Sequence, residues 1–273
     1  MRKSIVLALI AVFILSDSCA KKKENDTIVR FETNQGNILV RLYPQTVKHR
    51  TNFLKLVNVG FYSGVLFHRV INGFMIQGGD PDSKTAKPNA LLGSGDVGYT
   101  IPAEFVYPQY YHKRGVLAAA REGDQLNPTK ASSGCQFYIV VGKKFTDSQL
   151  DSIEQVREKR FEVKLFQEIA NSKQNEIQKI QLEQNQSKLN TLRDSILNEV
   201  HKRMKAHPSY KLTPQQRKDY KTTGGTPHLD GEYTVFGQVI EGMEVVDLIS
   251  TVKTGTNNRP LKDVRIIKAE VVR

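Results

Sequence analysis

Apolar and polar residues alternate from Thr27 to Glu32 and again from Asn37 to Leu42, and that period of two marks both runs as short strands. Between them, Thr33-Asn34-Gln35-Gly36 supplies the Asn and Gly of a tight turn, so the pair reads as a hairpin. From Pro44-Gln45-Thr46 the period becomes helical. Val47, Phe53, Leu54 and Val57 share a face expected to lie on the sheet, and Gly60 stands where a helix ends. The stretch from Pro81 to Pro108 is rich in Gly, Pro, Asp and Ser and reads as loop, with a turn region from Thr100 to Phe105. Arg114 to Ala120 and Ser133 to Val141 read as strands. Further on, Leu229-Asp230-Gly231 turns the chain into a strand through Val239. A short helix with Met243, Val246 and Ile249 on one face follows, then a terminal strand from Val264 to Val272. Many short strands, regular turns and two short helices predict a mostly-β fold, a closed barrel with capping helices.

One segment breaks this rhythm. From about Lys143 to Gly225 the composition shifts to Gln, Glu, Lys, Asn and Leu, with no Gly or Pro before Pro208. Thr146 and Gln149 have the spacing of a capping box, after which Ile153, Val156, Leu165, Phe166 and Ile169 form an apolar face. Leu182, Leu189 and Ile196 recur every seven residues, with Leu192 and Val200 between, so long helix is expected, folded back near Asn171 to Glu176 or near Asn185. Thr213-Pro214 opens a last helix ending near Gly224. The expected organisation is a leader over 1–19, a tether over 20–26, a barrel over 27–142 and 226–273, and a helical insertion over 143–225. The insertion reads either as a solvated appendage or as a client-binding or self-association surface.

The chain has 273 residues and a formal net charge of +12, which raises anionic partners as a question. Its Lys and Arg are scattered among Glu and Gln rather than gathered into a nucleic-acid module, so most of them read as solvated surface and no nucleic acid is expected. Met1-Arg2-Lys3, the apolar run Ile5 to Leu15 and the small and polar residues after it have the form of a secretory signal peptide. Cleavage after Ala20 fits the small residues Ser18 and Ala20. Cleavage before Cys19 leaves a cysteine for lipid attachment at the new N-terminus, and is favoured because the leader's end, with its lysine-rich tether, resembles that of a bacterial lipoprotein. Ser16 and Asp17 depart from a strict lipobox. Of two cysteines, Cys135 is then left alone and reads as a small buried residue, with no structural disulfide.

The candidate chemistry lies between Phe67 and Asp80. Phe67-His68-Arg69-Val70-Ile71-Asn72-Gly73-Phe74-Met75-Ile76-Gln77-Gly78-Gly79-Asp80 brings one cation, two bulky apolar side chains and a glutamine together before a Gly-Gly pair. Arg69 and Gln77 fall in one parity class, and a turn at Asn72-Gly73 can bring Phe74 and Met75 beside them, giving an apolar recess edged by a guanidinium. The bland alternative is that Phe67, Val70, Ile71, Phe74 and Ile76 are strand core. The segment resembles the signature of the cyclophilin family of peptidyl-prolyl cis/trans isomerases, F-H-R-x-I-x-x-F-M-x-Q-G-G-D, at every fixed position. The segments at 114–120, 133–141 and 226–239 resemble the same family in the same order. The resemblance implies an eight-stranded antiparallel barrel closed by a helix at each end, and an enzyme that rotates Xaa-Pro bonds without a cofactor or metal.

Carried over residue by residue, the resemblance implies that Arg69, Phe74 and Gln77 are catalytic. Met75, Tyr138 and Leu229 would hold the proline ring with Phe74, Tyr233 would stand on the rim, and Gln77 and the backbone around Ala120 would grip the chain. Arg121, Gln136 and His228 complete the expected substrate-binding set. Departures are Tyr138 where the family often has Phe, His228 where many members have Trp, Tyr233 for a rim His and Arg121 for an Asn, which bear on substrate preference and cyclosporin sensitivity. The leading reading is an exported, lipid-anchored isomerase of a bacterial cell envelope, acting on proline-containing peptides and unfolded clients. The alternative is a non-catalytic client-binding module. The six histidines show no metal-ligand spacing such as H-E-x-x-H, and no G-x-S-x-G elbow is present, which leaves hydrolase or metalloenzyme readings unsupported.

Overall fold

A computed structural model describes residues 27–207 and 209–273. The leader, the tether and Cys19 lie outside the described residues. β1 (Thr27–Thr33) and β2 (Gly36–Leu42) form the expected hairpin, and α1 (Val47–Asn58) follows. Then come β3 (Arg69–Ile71), β4 (Met75–Gly78), β5 (Thr100–Ile101), β6 (Val116–Ala119), β7 (Ser132–Ser133) and β8 (Phe137–Val140). Four helices, α2 (Asp147–Ser172), α3 (Gln174–Leu182), α4 (Gln186–Ala206) and α5 (Pro214–Thr222), precede β9 (Val235–Glu241), α6 (Met243–Ser250) and β10 (Ile266–Val271). Strand organises the fold, as expected, while α2 and α4, of 26 and 21 residues, make helix the larger share of the described residues.

Eight strands form one antiparallel, strongly curled sheet in the order β10-β1-β2-β9-β6-β8-β4-β3, and β5 pairs with β7 apart from it. The expected closed barrel is therefore corrected to an open, half-barrel sheet. No ladder joins the edge strands: β3 is three residues long, and ahead of it only the coil at 64–67 reaches 264–266, through one bridge at Leu66 and Arg265 and a few backbone hydrogen bonds. Inside the curl, Phe31, Phe53, Tyr62, Phe137 and Phe236 pack edge to face or offset with centroids 5.2–6.4 Å apart, joined by Val70, Ile76, Leu117 and Ile139. Burial of each such side chain stabilises the fold by about 1.5–3 kcal/mol. Phe53 and Val57 of α1 and Val246 and Ile249 of α6 pack onto this core, but Val47, expected on the buried face, is exposed and His49 takes the inward position instead.

The insertion is three helices plus a fourth that returns to the sheet. Both expected fold-back points occur, at Lys173 and around 183–185, so Leu182 lies at a helix end and is exposed while Leu165, Ile169, Ile180, Leu192, Ile196 and Val200 make a separate small core. Thr146 with Gln149 and Thr213 with Gln216 form complete capping boxes. At the junction with the sheet, Leu150, Leu212, Tyr111 and Tyr220 pack together. The buried Glu154 carboxylate there accepts from the Leu212 N–H (3.0 Å), Lys211 Nζ (2.8 Å) and Arg217 Nη2 (3.0 Å).

Candidate active site

Because side chains alternate along a strand, the curled sheet has a second apolar face turned away from the main core. Register pairs Arg69 with Gln77, Gln77 with Tyr138, Tyr138 with Ala118 and Ala118 with Val235, so one row crosses five strands. Met75, Val116, Ala118, Tyr138, Val140 and Val235 share this face, and Phe74, Leu229 and Tyr233 pack against them. Gly79, the second glycine of the motif, has φ +101°, and a Cβ there would meet the Cys135 carbonyl oxygen. That contact accounts for glycine at the position.

The row opens into a cavity of about 850 Å³ lined by Arg69, Phe74, Met75, Gln77, Ala120, Arg121, Tyr138, Leu229 and Tyr233, among others. Nine sequence-predicted residues thus surround one void. The other two stand behind it. His228 stacks on the outer face of Phe74 with centroids 5.7 Å apart, and Gln136 passes the hydrogen-bond chain onward. Arg69 Nη1 donates to Gln77 Oε1 (3.1 Å), Gln77 Nε2 donates to Gln136 Oε1 (3.1 Å), and Gln136 Nε2 donates to the carbonyls of Gly93 (2.9 Å) and Gly95 (2.8 Å). Among the described residues no carboxylate pairs with Arg69, so its remaining N–H donors face the cavity with their charge unneutralised.

The rim is braced by Arg121, whose guanidinium lies 4.4 Å from the Tyr233 ring centroid and whose Nε donates to the Glu232 carbonyl (2.9 Å). Ala120 is a weaker grip than expected, because its N–H already donates to the Gln136 carbonyl (3.0 Å) and its carbonyl accepts from the Ser133 N–H (2.8 Å). Cys135 is buried, and burial pushes its thiol pKa up to about 11, away from nucleophilic use.

Sequence reasoning missed what lies beneath the pocket floor. The Asp230 carboxylate accepts from the His112 N–H (2.7 Å), from His112 Nδ1 (3.2 Å) and from the Tyr220 hydroxyl (2.7 Å), all buried. With the Nδ1 proton held there, His112 Nε2 accepts from the Tyr138 hydroxyl at 2.9 Å, which gives that phenol the partner its burial requires. Burial raises the Tyr138 pKa well above the usual phenol range. Tyr220 belongs to α5, so the insertion is joined to the floor through this chain. A lone His four residues ahead of β6 carries no spacing signal. The cavity walls at 88–94 and 255–261 were missed as well. They are pinned together by the buried Arg259, which donates to the carbonyls of Lys87 (3.0 Å) and Ala90 (2.8 Å).

Chemically, the site can hold an apolar ring against Phe74, Met75, Tyr138 and Leu229 while offering a fixed cationic donor from Arg69. Comparisons with known proteins identify the family. The family model described as "Cyclophilin type peptidyl-prolyl cis-trans isomerase/CLD" matches residues 28–202 and 220–271. A Staphylococcus saprophyticus protein named as a candidate peptidyl-prolyl cis-trans isomerase is 28% identical over 249 residues, covering 91% of this chain and 93% of its own length. A Streptococcus pyogenes protein named as a candidate bifunctional phosphatase/peptidyl-prolyl cis-trans isomerase is 30% identical over 246 residues, covering 89% of this chain but 38% of its own. A crystal structure of a Cryptosporidium parvum cyclophilin-type isomerase is similar with TM-score 0.53 at 21% identity, covering 91% of this chain and 98% of that one. A second structure of that protein, in the presence of the dipeptide Ala-Pro, is similar to the same degree, with TM-score 0.53.

Proposed function

The chain belongs to the cyclophilin-type peptidyl-prolyl cis-trans isomerases and is an enzyme of that class, and we propose how its pocket residues divide the work and where it acts. Rotation about an Xaa-Pro bond must break amide resonance, at about 20 kcal/mol, without making or cleaving a bond. A catalyst need only favour the twisted amide over both planar forms. As the bond twists, the proline nitrogen regains a lone pair. Arg69 donates to it, and a donor of this kind, fixed in a partly desolvated recess, is worth about 2.7–4 kcal/mol. Phe74, Met75, Tyr138 and Leu229 hold the ring, Tyr233 and Arg121 close the rim, and Gln77 aims the guanidinium. With both Ala120 backbone groups engaged, the adjoining Arg121 peptide group takes the substrate's backbone.

The observation that carries this reading is Arg69 and the apolar residues lining one void, with Arg69 oriented by its register partner Gln77. Exchange NMR on an Ala-Pro-containing peptide tests it. The wild-type protein should produce cis–trans exchange cross-peaks, and Phe74→Ala should weaken peptide binding; unchanged binding in Phe74→Ala would remove the ring-holding role.

The clients we propose are exported proteins, with the enzyme anchored through a lipid on Cys19 to a bacterial envelope. Support comes from the leader-like first residues and the tether before residue 27. Cys19→Ala should then move the protein from the membrane fraction to the soluble one, and unaltered partitioning would rule the anchor out.

A further inference from the structure

α2 turns Leu150, Glu154, Leu165 and Ile169 inward. Its outer side carries Val156, Lys159, Arg160, Val163, Lys164 and Gln167, which line a shallow groove of about 310 Å³. Val156 and Val163 are 51% and 46% exposed, one turn-pair apart on a single stripe. Lys159 pairs with Glu162 (2.7 Å), but among the described residues Arg160 and Lys164 have no carboxylate partner. The stripe from Val156 to Gln167 is about 16 Å of helix axis, the reach of about five extended residues.

The helix that carries this groove packs against the Pro227–Leu229 turn, which supplies the pocket-wall residue Leu229. Arg157 Nη1, one turn from Arg160, donates to the Asp230 carbonyl at 2.5 Å and stacks on Tyr210. Asp230 directly follows the pocket-wall residue Leu229 and His228, whose ring covers Phe74. Burial lowers the His228 pKa, and the charges of His112, Arg160 and Lys143 act in the same direction against that of Asp230. Lys143, too, has no carboxylate partner among the described residues. Cations therefore run from beside His228, on the outer side of Phe74, along α2, with the half-exposed Val156 and Val163 among them.

We infer that this face of α2 extends the substrate channel and receives the part of a client chain next to the isomerised proline, when that part carries Asp or Glu beside an apolar residue. The inference rests on the prolyl-pocket reading, because a chain already held by its proline meets the groove at high effective concentration. Charge complementarity selects the acidic residues. An anionic bilayer fits less well, since helices that lie on membranes bury Trp, Phe or Leu, whereas this stripe offers two valines.

The test uses the mature chain and three peptides: a short neutral Ala-Pro tetrapeptide, a twelve-residue neutral peptide, and a twelve-residue peptide with Asp, Glu and Leu on both sides of the proline. Wild type should turn over the acidic peptide with kcat/KM roughly fivefold above the neutral one at low salt, a preference that 1 M salt removes. Arg160→Glu with Lys164→Glu, both exposed, should abolish the preference and leave the tetrapeptide rate unchanged. Equal rates for the two long peptides in wild type, or a preference that survives in the variant, would overturn the inference. So would loss, in the variant, of binding to phosphatidylglycerol vesicles with no change in peptide preference, which would assign the face to a membrane. If even the tetrapeptide is not isomerised, the pocket reading fails. The groove is then judged by anisotropy with the labelled acidic peptide, whose affinity must still fall in the variant.

Discussion

The Tyr138 hydroxyl donates to His112 Nε2 at 2.9 Å, so the polar end of the residue beneath the pocket points away from the hollow and only its ring faces a bound proline. The hydroxyl is a structural group, and the ring is the functional one. Tyr138→Phe should keep isomerase activity within about twofold but leave His112 Nε2 buried without a donor, at a cost of about 1–3 kcal/mol. Tyr138→Ala should lose most of the activity. Peptide isomerisation and urea unfolding of the two variants check this, and a large rate loss in Tyr138→Phe would put the hydroxyl in the reaction.

The same chain continues through Asp230 to Tyr220 of α5. Tyr220→Phe should destabilise by about 1–2 kcal/mol. In a double-mutant cycle with Tyr138→Phe the two costs should couple by 0.5 kcal/mol or more, an amount typical of members of one network. Additive costs would mean that the insertion and the pocket floor are independent.

Stability should fall as the solution is acidified from pH 6.5 to 4. His68 is 3% exposed, and burial, partly offset by Asp80, lowers its pKa to about 4 from 6.5. Between those values the unfolded chain binds a proton that the folded chain refuses, so stability is full above 6.5 and is lost as pH drops toward 4, by up to about 3 kcal/mol. His49, lowered chiefly by burial, acts in the same direction, and Glu104, held below the usual carboxylate range by bonds from Lys48 and His49, adds loss below pH 4.5. Thermal midpoints across this range should slope upward with pH, and His68→Gln should flatten the slope. An unchanged slope in His68→Gln would remove that imidazole as the cause.

Gly142 leaves the sheet for the insertion with φ +66°, and a Cβ there would stand 2.4 Å from Gly225 Cα. Gly142→Ala should therefore destabilise by several kcal/mol, through both the left-handed backbone and the clash. Calorimetry showing a wild-type midpoint would contradict the close approach of the insertion's two ends.

The sequence made the site legible where chemistry is local. Arg69 and Gln77 share parity and proved to be register partners, and Asn72-Gly73 turns Phe74 and Met75 to the same face. Tyr138 and Leu229 could be placed beside them only through the family's motifs, since no periodicity links residues 91 positions apart. Periodicity misled at helix ends. Val47 sits in a first turn and Leu182 in a last one, where the neighbour that would cover them is missing, and Val156 lies on the outer stripe of α2. Closure of the sheet was overread because strand count says nothing about whether β3, three residues long, carries enough pairing to meet β10. The walls at 88–94 and 255–261 are irregular chain held by Arg259, and irregular chain has no pattern to read.

The account depends most on the Arg69 guanidinium as the donor to the twisting amide. The rate of cis-to-trans conversion of an Xaa-Pro peptide by wild type, Arg69→Lys and Arg69→Ala measures this directly. Loss of a donor worth 2.7–4 kcal/mol corresponds to a fall in kcat/KM of about 10²–10³ for Arg69→Ala, with peptide affinity changed far less and Arg69→Lys in between. Equal rates in wild type and Arg69→Ala would contradict the account.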